Sequence, residues 1–430
     1  MNPRIAVIGS GIAGLASAWL LSQRYQVTLF EAEERLGGHT HTHDITLAGQ
    51  RFAVDTGFIV HNRQHYPLLS RMLDELGVDT APTSMSFSVH NAASGLEYNA
   101  TSLDALFCQR RNLVSPRFLG MVSDIFRFYR IAPRLLQDDG PGPSLGEYLQ
   151  RHRFGAAFRD EHLVPMASAL WSSPSRQILE FPARYLVQFM HNHQMLQVSG
   201  RPSWRVVTGG SARYIEALQR SWSARVRLST PVRALHRQLH CVTVETDASS
   251  ESFDHVVLAC HSDQALSLLA DPDAREAAIL GAIPYQENDV VLHTDPSLLP
   301  RSRKAWAAWN AHLPADPADA CTVSYCMNLL QGLDAPEPLV VTLNRTAAID
   351  PSRILRRMHY RHPVHTAGAV AAQARRAEIQ GWRRTWFAGA YWGWGFHEDG
   401  MRSAVDVVRA LGVAWPATTV TPSMPEVDQP

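Results

Sequence analysis

A chain of 430 residues with 40 basic and 40 acidic side chains carries no net charge. That argues against a nucleic-acid binder, which shows a basic excess. The length suffices for a large buried core, and two domains are expected. Cys108, Cys241, Cys260, Cys321 and Cys326 form no C-x-x-C pair, so free thiols in a reducing cytoplasm are expected. Met1-Asn-Pro-Arg4 runs straight into a strand-like segment, so no cleavable leader is expected. No apolar run approaches the roughly 20 residues of a spanning helix.

Ile5 to Ile8 is an all-apolar run, as in a strand buried on both faces. Gly9, Gly11 and Gly14 follow as G-x-G-x-x-G, and Ile12 to Leu21 reads as an apolar helix. A second strand, Val27 to Phe30, ends at Glu31. Gly9 permits the tight turn, Gly11 leaves room for a pyrophosphate, and Gly14 lets helix and strand pack closely. Ile12 and Ala13 at the helix start offer free N–H groups to phosphate. Glu31, with Ala32 beside it, lies where a carboxylate accepts from a ribose, which favours FAD or NAD over NADP. Strand, glycines, helix, strand and acid in this order exceed what an ordinary glycine-rich turn requires.

Next comes Arg35-Leu-Gly-Gly38-His39-Thr40. The whole segment resembles the start of the flavin amine oxidase and phytoene desaturase superfamily. The resemblance implies FAD, with Arg35, Gly37, Gly38, His39 and Thr40 running beside the pyrophosphate toward the flavin. It also implies that the Val54–Val60 strand and turn, with Thr56 and Gly57, leads back under the ring. The expected fold is α/β, a Rossmann-like FAD-binding domain of glutathione reductase or amine oxidase type with an inserted α+β substrate domain. The FAD domain is expected over 1–82, 204–270 and 380–415. The substrate domain is expected over 83–203 and 271–379, with a tail at 416–430. His39, His41 and His43 would share one face of a strand, but no acid or Cys has ligand spacing, so no metal is expected.

From about Thr83 to Ser203 helical periodicity takes over. Ser115-Pro116 is a good helix start, with Phe118, Val122, Ile125, Phe126 and Tyr129 on one face. Arg117, Asp124, Arg127 and Arg134 fall on the other, so the helix packs on a core or lies on a membrane surface. Asp139–Pro143 reads as a loop. His191 and His193 are pocket candidates, but residues at i and i+2 do not share a helix face, so joint metal ligation is not expected there.

Arg205 to Ser211 resembles the family's return to the nucleotide domain. Val226–Val232, Val242–Thr246 and Val256–Cys260 read as strands, and the resemblance implies adenine contact by the backbone of Val232, after Pro231. Val290–Asp295 reads as a short strand in the substrate domain. Late in the chain, Trp386 to Gly400 is a strand, a glycine–aromatic loop and then a helix through Leu411. The resemblance makes Gly389 and Ala390 flavin neighbours and Gly400 and Met401 backbone donors to the flavin edge. Trp392, Trp394 and Phe396 are expected as a cofactor and substrate wall.

Three departures from the family's pattern shape the functional reading, one being Ala390 where many members have an acid after the Ala-Gly pair, which weakens amine oxidation. The loop Trp392-Gly-Trp-Gly395 has no Cys, so FAD should be non-covalent. Gln286–Val290 has no Lys of the kind many amine oxidases place near the flavin, and Lys304 is the sole lysine of the chain. The wording of several segments resembles a bacterial branch that accompanies cyclopropane-fatty-acid-synthase-like methyltransferases, some members being linked to desaturation of methylated acyl chains toward furan fatty acids. That implies hydride removal from an apolar or lipid substrate at the inner face of the membrane, with a lipid methyltransferase as a partner. The alternatives are an amine or amino-acid oxidase and a non-catalytic lipid carrier of the same fold. No catalytic residue is assigned.

Overall fold

The computed structural model describes residues 3–137, 140, 142–171, 175–315 and 322–415. The tail expected at 416–430, Cys321 and part of the Asp139–Pro143 loop lie outside them. Five parallel strands form the first sheet, in the order Arg225–Arg227, Gln26–Phe30, Arg4–Ile8, His255–Leu258, Thr385–Phe387. Alternation along the central strand sets its layers. Ile5 and Val7 pack with Leu15, Tyr214, Leu218, Met401 and Ala404, from the helices Ile12–Leu21, Ala212–Ser221 and His397–Ala410. Ala6 and Ile8 point the other way, onto Leu235, Val242 and Phe253 of a three-stranded antiparallel sheet.

The strand expected over Val226–Val232 is two strands, Arg225–Arg227 and Val232–Arg237. Ser229 between them has φ 48°, and Pro231 offers no N–H to a ladder. The second large sheet has seven strands, drawn from 87–99 and 285–363. Its longest pair joins Tyr285–His293 to Ile354–Pro363, so the short strand expected at Val290–Asp295 is the end of a nine-residue one. A small sheet joins Thr80–Thr83, where the chain leaves the nucleotide unit, to Trp204–Val207, where it returns.

Helix Pro116–Ile131 starts as expected, with Ser115 Oγ accepting from Phe118 N at 3.4 Å. Its buried residues are Phe118, Met121 and Phe128, while Phe126 is 56% exposed. The apolar face is thus rotated from the expected one. Arg117 pairs with Glu161, and Arg127 pairs with Asp124 while donating to the His152 and Arg153 carbonyls. Among the described residues no helix is long and apolar enough to cross a membrane, and Cys108, Cys241, Cys260 and Cys326 are free.

Candidate active site

One cavity of about 1240 Å³ runs from the Gly9–Gly14 turn, across the nucleotide sheet's edge, into the inserted helices and the seven-stranded sheet. It exceeds the roughly 300–1,000 Å³ of ordinary ligand pockets, which leaves room for a long cofactor and a second molecule.

At the nucleotide end, Gly9, Gly11, Ile12 and Ala13 line the wall. The first helix has Gly11 at its N-cap and no side-chain cap, so its leading N–H groups carry the partial positive charge that attracts phosphate. A Cβ built on Gly11 meets nothing within 4 Å. Gly14 does not line the cavity; a Cβ there would lie 1.9 Å from the Gly9 carbonyl oxygen, so it serves the close packing of helix on strand. Glu31 and Ala32 line the cavity. Glu31 Oε2 accepts from Ser10 N at 2.8 Å and Ser10 Oγ at 2.5 Å, and Oε1 accepts from Glu33 N at 2.9 Å, so the carboxylate is aimed before any ligand arrives. Val232 lies on the same wall.

Arg35, Gly37, Gly38 and His39 also face the cavity, as do Thr56 and Gly57. Arg35 straps its own turn, donating to the Gly38 carbonyl at 2.9 Å and the Thr40 carbonyl at 3.2 Å. Thr40 is buried behind the wall, its Oγ1 2.5 Å from Tyr214 OH and 3.0 Å from His397 Nε2. The three alternating histidines part company. His41 and His43 contact each other, with ring centroids 3.9 Å apart, whereas His39 turns toward Tyr360, His362 and His261, at 5.1, 5.2 and 5.9 Å. Only His43 belongs to the strand Thr42–Leu47, which is why the shared face does not form. Burial pushes His39 and His261 down to about 4 and His362 to about 3, so these rings are neutral near pH 7. Among the described residues no group of His, Cys, Asp or Glu could hold a metal.

The C-terminal segment departs most from expectation. Its helix begins at His397, not near Gly400. Asp399 Oδ2 accepts from Trp394 N at 3.0 Å and Phe396 N at 3.1 Å, pulling the loop onto the first turn. The Gly400 N–H is already committed to the Phe396 carbonyl at 3.2 Å. A Cβ on Gly400 would meet Ile12 Cγ2 at 2.6 Å, so this glycine permits helix-on-helix contact, and Met401 is fully buried in that core. Neither lines the cavity. The N–H groups left without an intrahelical partner belong to His397 and Glu398. His397 does line the cavity, stacked on Phe58 at 3.6 Å; a sequence reading that started the helix at its first acidic turn would have found it.

Gly389, Ala390, Trp394 and Phe396 line the cavity, but Trp392 does not. It is 9% exposed and its Nε1 donates to the Phe387 carbonyl at 3.1 Å, so it is a core residue. His191 is exposed at the surface, because its helix buries the opposite face. His193 lines the cavity and stacks on Phe189 at 4.0 Å. Beyond it the chamber walls are apolar and aromatic, including Met166, Leu170, Trp171, Trp309, Leu330 and Leu343. Arg201 is the charged side chain among the described residues of this inner chamber, and carboxylates line only the nucleotide end.

Glu398 offers a check on this architecture. Its two oxygens accept from Leu68 N at 3.1 Å and Leu69 N at 3.0 Å, capping helix Pro67–Glu75, which has no side-chain cap of its own. Burial nevertheless pushes its carboxyl from the ordinary 4.5 up to about 7. A folded value above the unfolded one gives stability present below pH ~4 and lost as pH rises through ~7. Glu398→Gln should therefore gain Tm relative to wild type as pH rises from about 4.5 to 7.5; a pH-independent difference would show that the carboxyl ionises normally.

The model of the family of flavin containing amine oxidoreductases matches residues 12–304. AofH of Mycobacterium tuberculosis, a protein named as a flavin-containing monoamine oxidase, is 26% identical over 285 residues, 62% of this chain and 59% of its own. The match thus spans little more than half of that relative's length. Among solved structures, cyclohexylamine oxidase from Brevibacterium oxydans has a TM-score of 0.69 at 16% identity, covering 96% of this chain and 99% of that one. The CLA-producing fatty acid isomerase from P. acnes has a TM-score of 0.66 at 16% identity, with the same 96% and 99% coverage. Both likenesses show a shared fold. With the glycine turn, the aimed acid and Val232, Gly389 and Ala390 in one cavity, the chain belongs to the flavin-containing amine oxidoreductase family, oxidoreductases whose cofactor is FAD.

Proposed function

We propose that this protein is an oxidoreductase with non-covalent FAD that takes a hydride from one carbon of an apolar chain while the neighbouring carbon loses a proton to solvent, desaturating a fatty acyl substrate. The residues fit the cofactor: the space at Gly11 and the uncapped first helix suit a pyrophosphate, Glu31 suits ribose hydroxyls, and the backbone at Val232 suits the adenine. Bound there, FAD supplies the two-electron acceptor. The chain's own part is to hold the substrate dry and oriented. The observation that carries the substrate class is the inner chamber, apolar and aromatic, with a cation at Arg201 and, among the described residues, no carboxylate to receive an ammonium group. Burying about ten methylenes there is worth ~8 kcal/mol. Lys304, the sole lysine, is 60% exposed and paired with Asp104, so no lysine serves the site.

The family itself and the aromatic walls at Trp171 and Trp394 favour a second reading, a small-amine oxidase. Anaerobic titration of the yellow protein separates the two. Long-chain unsaturated or methyl-branched acids should bleach the flavin band, while cyclohexylamine and putrescine should not. Bleaching by amines alone would overturn the acyl reading.

Presentation from a membrane belongs to the same proposal. Leu113, Val114, Leu119 and Phe126 are 50%, 81%, 43% and 56% exposed, and Arg130 is exposed on the same helix as Phe126, while Arg110 pairs with Asp104 and Arg111 donates to the Gly95 carbonyl. Each well-placed Arg adds about 1 kcal/mol on anionic lipid. Because Arg117 and Arg127 are tied to the protein itself, the informative variant is Val114→Ser with Phe126→Ser. It should stop salt-sensitive pelleting with anionic liposomes. Undiminished pelleting would count against this surface.

A further inference from the structure

Helix 156–171 is interrupted at Arg159–Leu163 by a π-turn, a distortion found frequently at functional sites. The turn sends its two buried polar residues to different places. Glu161 is buried against Arg117 and Asn91. His162 lines the inner chamber, 4% exposed, and its Nε2 has no partner. Its protonation follows by counting protons. Tyr98 OH spends its hydrogen on the Glu161 carbonyl at 2.7 Å, so toward His162 Nδ1, 3.0 Å away, it can only accept. The ring therefore carries its proton on Nδ1, and Nε2 keeps a bare lone pair. Burial and the nearby Arg201 cation hold the ring at about 4, hence neutral near pH 7.

The donors stand close by. Arg201 donates from Nε to the Gln197 carbonyl at 3.0 Å, and the hydroxyl of Tyr129, on helix Pro116–Ile131, is able to donate as well as accept. Arg201 and Tyr129 line the cavity. Arg201 is exposed and its neighbour Val198 is 67% exposed, so this end of the chamber opens to solvent. Phe126, one helical turn from Tyr129, is exposed too. A buried lone pair, a hydroxyl donor and a guanidinium together form a set with more donors than acceptors, placed where an apolar chamber meets the surface.

We infer that this mouth recognises a free carboxyl group, so that the substrate is the unesterified acid, entering tail first with its head held by Arg201, Tyr129 and His162. One carboxyl oxygen accepts from Arg201 and Tyr129, and the other shares with His162 Nε2 a single proton taken up from solvent as the acid binds. An ester cannot hold that proton, and it leaves the lone pair buried and unpaired, which is penalised more heavily than a missing bond at the surface. The inference rests on the apolar-chain reading above and narrows it.

The test uses the FAD-loaded full chain and isothermal titration with oleic acid and with methyl oleate. Wild type should prefer the acid by roughly tenfold or more, the scale of one hydrogen bond to a charged group. Arg201→Leu should abolish that preference by weakening acid binding while methyl oleate binds as before. His162→Phe, which keeps ring and volume, should reduce the preference without altering the flavin spectrum. Equal affinity of wild type for acid and ester, or a preference that survives Arg201→Leu, would overturn the carboxyl assignment alone. Binding of neither molecule would overturn the apolar-chain reading with it.

Discussion

Gly11→Val should give a folded protein that purifies colourless. The backbone at Gly11 is extended, with φ −62° and ψ 176°, a conformation open to Val. A Cβ there touches nothing, so the new methyls displace no protein atom and enter the space assigned to the pyrophosphate. Fold and cofactor should therefore separate: far-UV circular dichroism unchanged, the flavin band absent after gel filtration, and added FAD without effect on Tm. Wild type should gain about 4 kcal/mol from FAD held at 1,000 times its Kd. Gly14→Ala gives the contrast. Its methyl would stand 1.9 Å from the Gly9 oxygen and 3.2 Å from the Ala259 side chain, contacts that only separation of helix and strand relieves. Soluble folded protein should be lost, with or without FAD. A yellow Gly11→Val protein would show that the cofactor does not cross this glycine.

Arg237→Met should be among the most destabilising single changes in the nucleotide unit. Arg237 and Glu276 have fully buried side chains and are paired in bidentate fashion, with Arg237 Nη2 2.9 Å from Glu276 Oε2. The same guanidinium donates from Nε to Asp271 Oδ1 at 3.0 Å and from Nη2 to the Asp271 carbonyl at 2.6 Å. It ties the three-stranded sheet, through the strand Val232–Arg237, to helix Ala274–Leu280. Removing the cation leaves the Glu276 carboxylate buried without it, a loss of about 3–5 kcal/mol. Replacing both, Arg237→Met with Glu276→Met, should recover much of the loss, because no buried charge then remains. Thermal unfolding of the two variants decides this; a double variant as unstable as the single one would locate the loss in packing instead.

The local pattern of the chain determined the nucleotide unit and its ligand end. Ile5–Ile8, the spaced glycines, the helix Ile12–Leu21 and the acid at Glu31 are short-range features, because each fixes backbone geometry within a few residues of itself. The same holds for Ser115-Pro116 as a helix start, whereas the break at Pro231 lies inside a stretch, Val226–Val232, that reads as one strand. Periodicity assigns residues to a face, but not the face to a neighbour. Phe126 and Phe128 were therefore not separable until helix Pro116–Ile131 met its core.

Tertiary structure alone decided the inner chamber. His39 meets His261 and His362 across more than two hundred residues of sequence separation, and Tyr98 orients His162. None of these pairings leaves a local spacing, since each depends on sheets whose strands come from distant parts of the chain. The roles of Gly400 and Trp392 were misplaced for the same reason. Trp392 stands in a glycine–aromatic loop that looks suited to a cofactor and Gly400 in the helix that follows it, and contact with the Phe387 carbonyl in one case and Ile12 in the other commits them to packing.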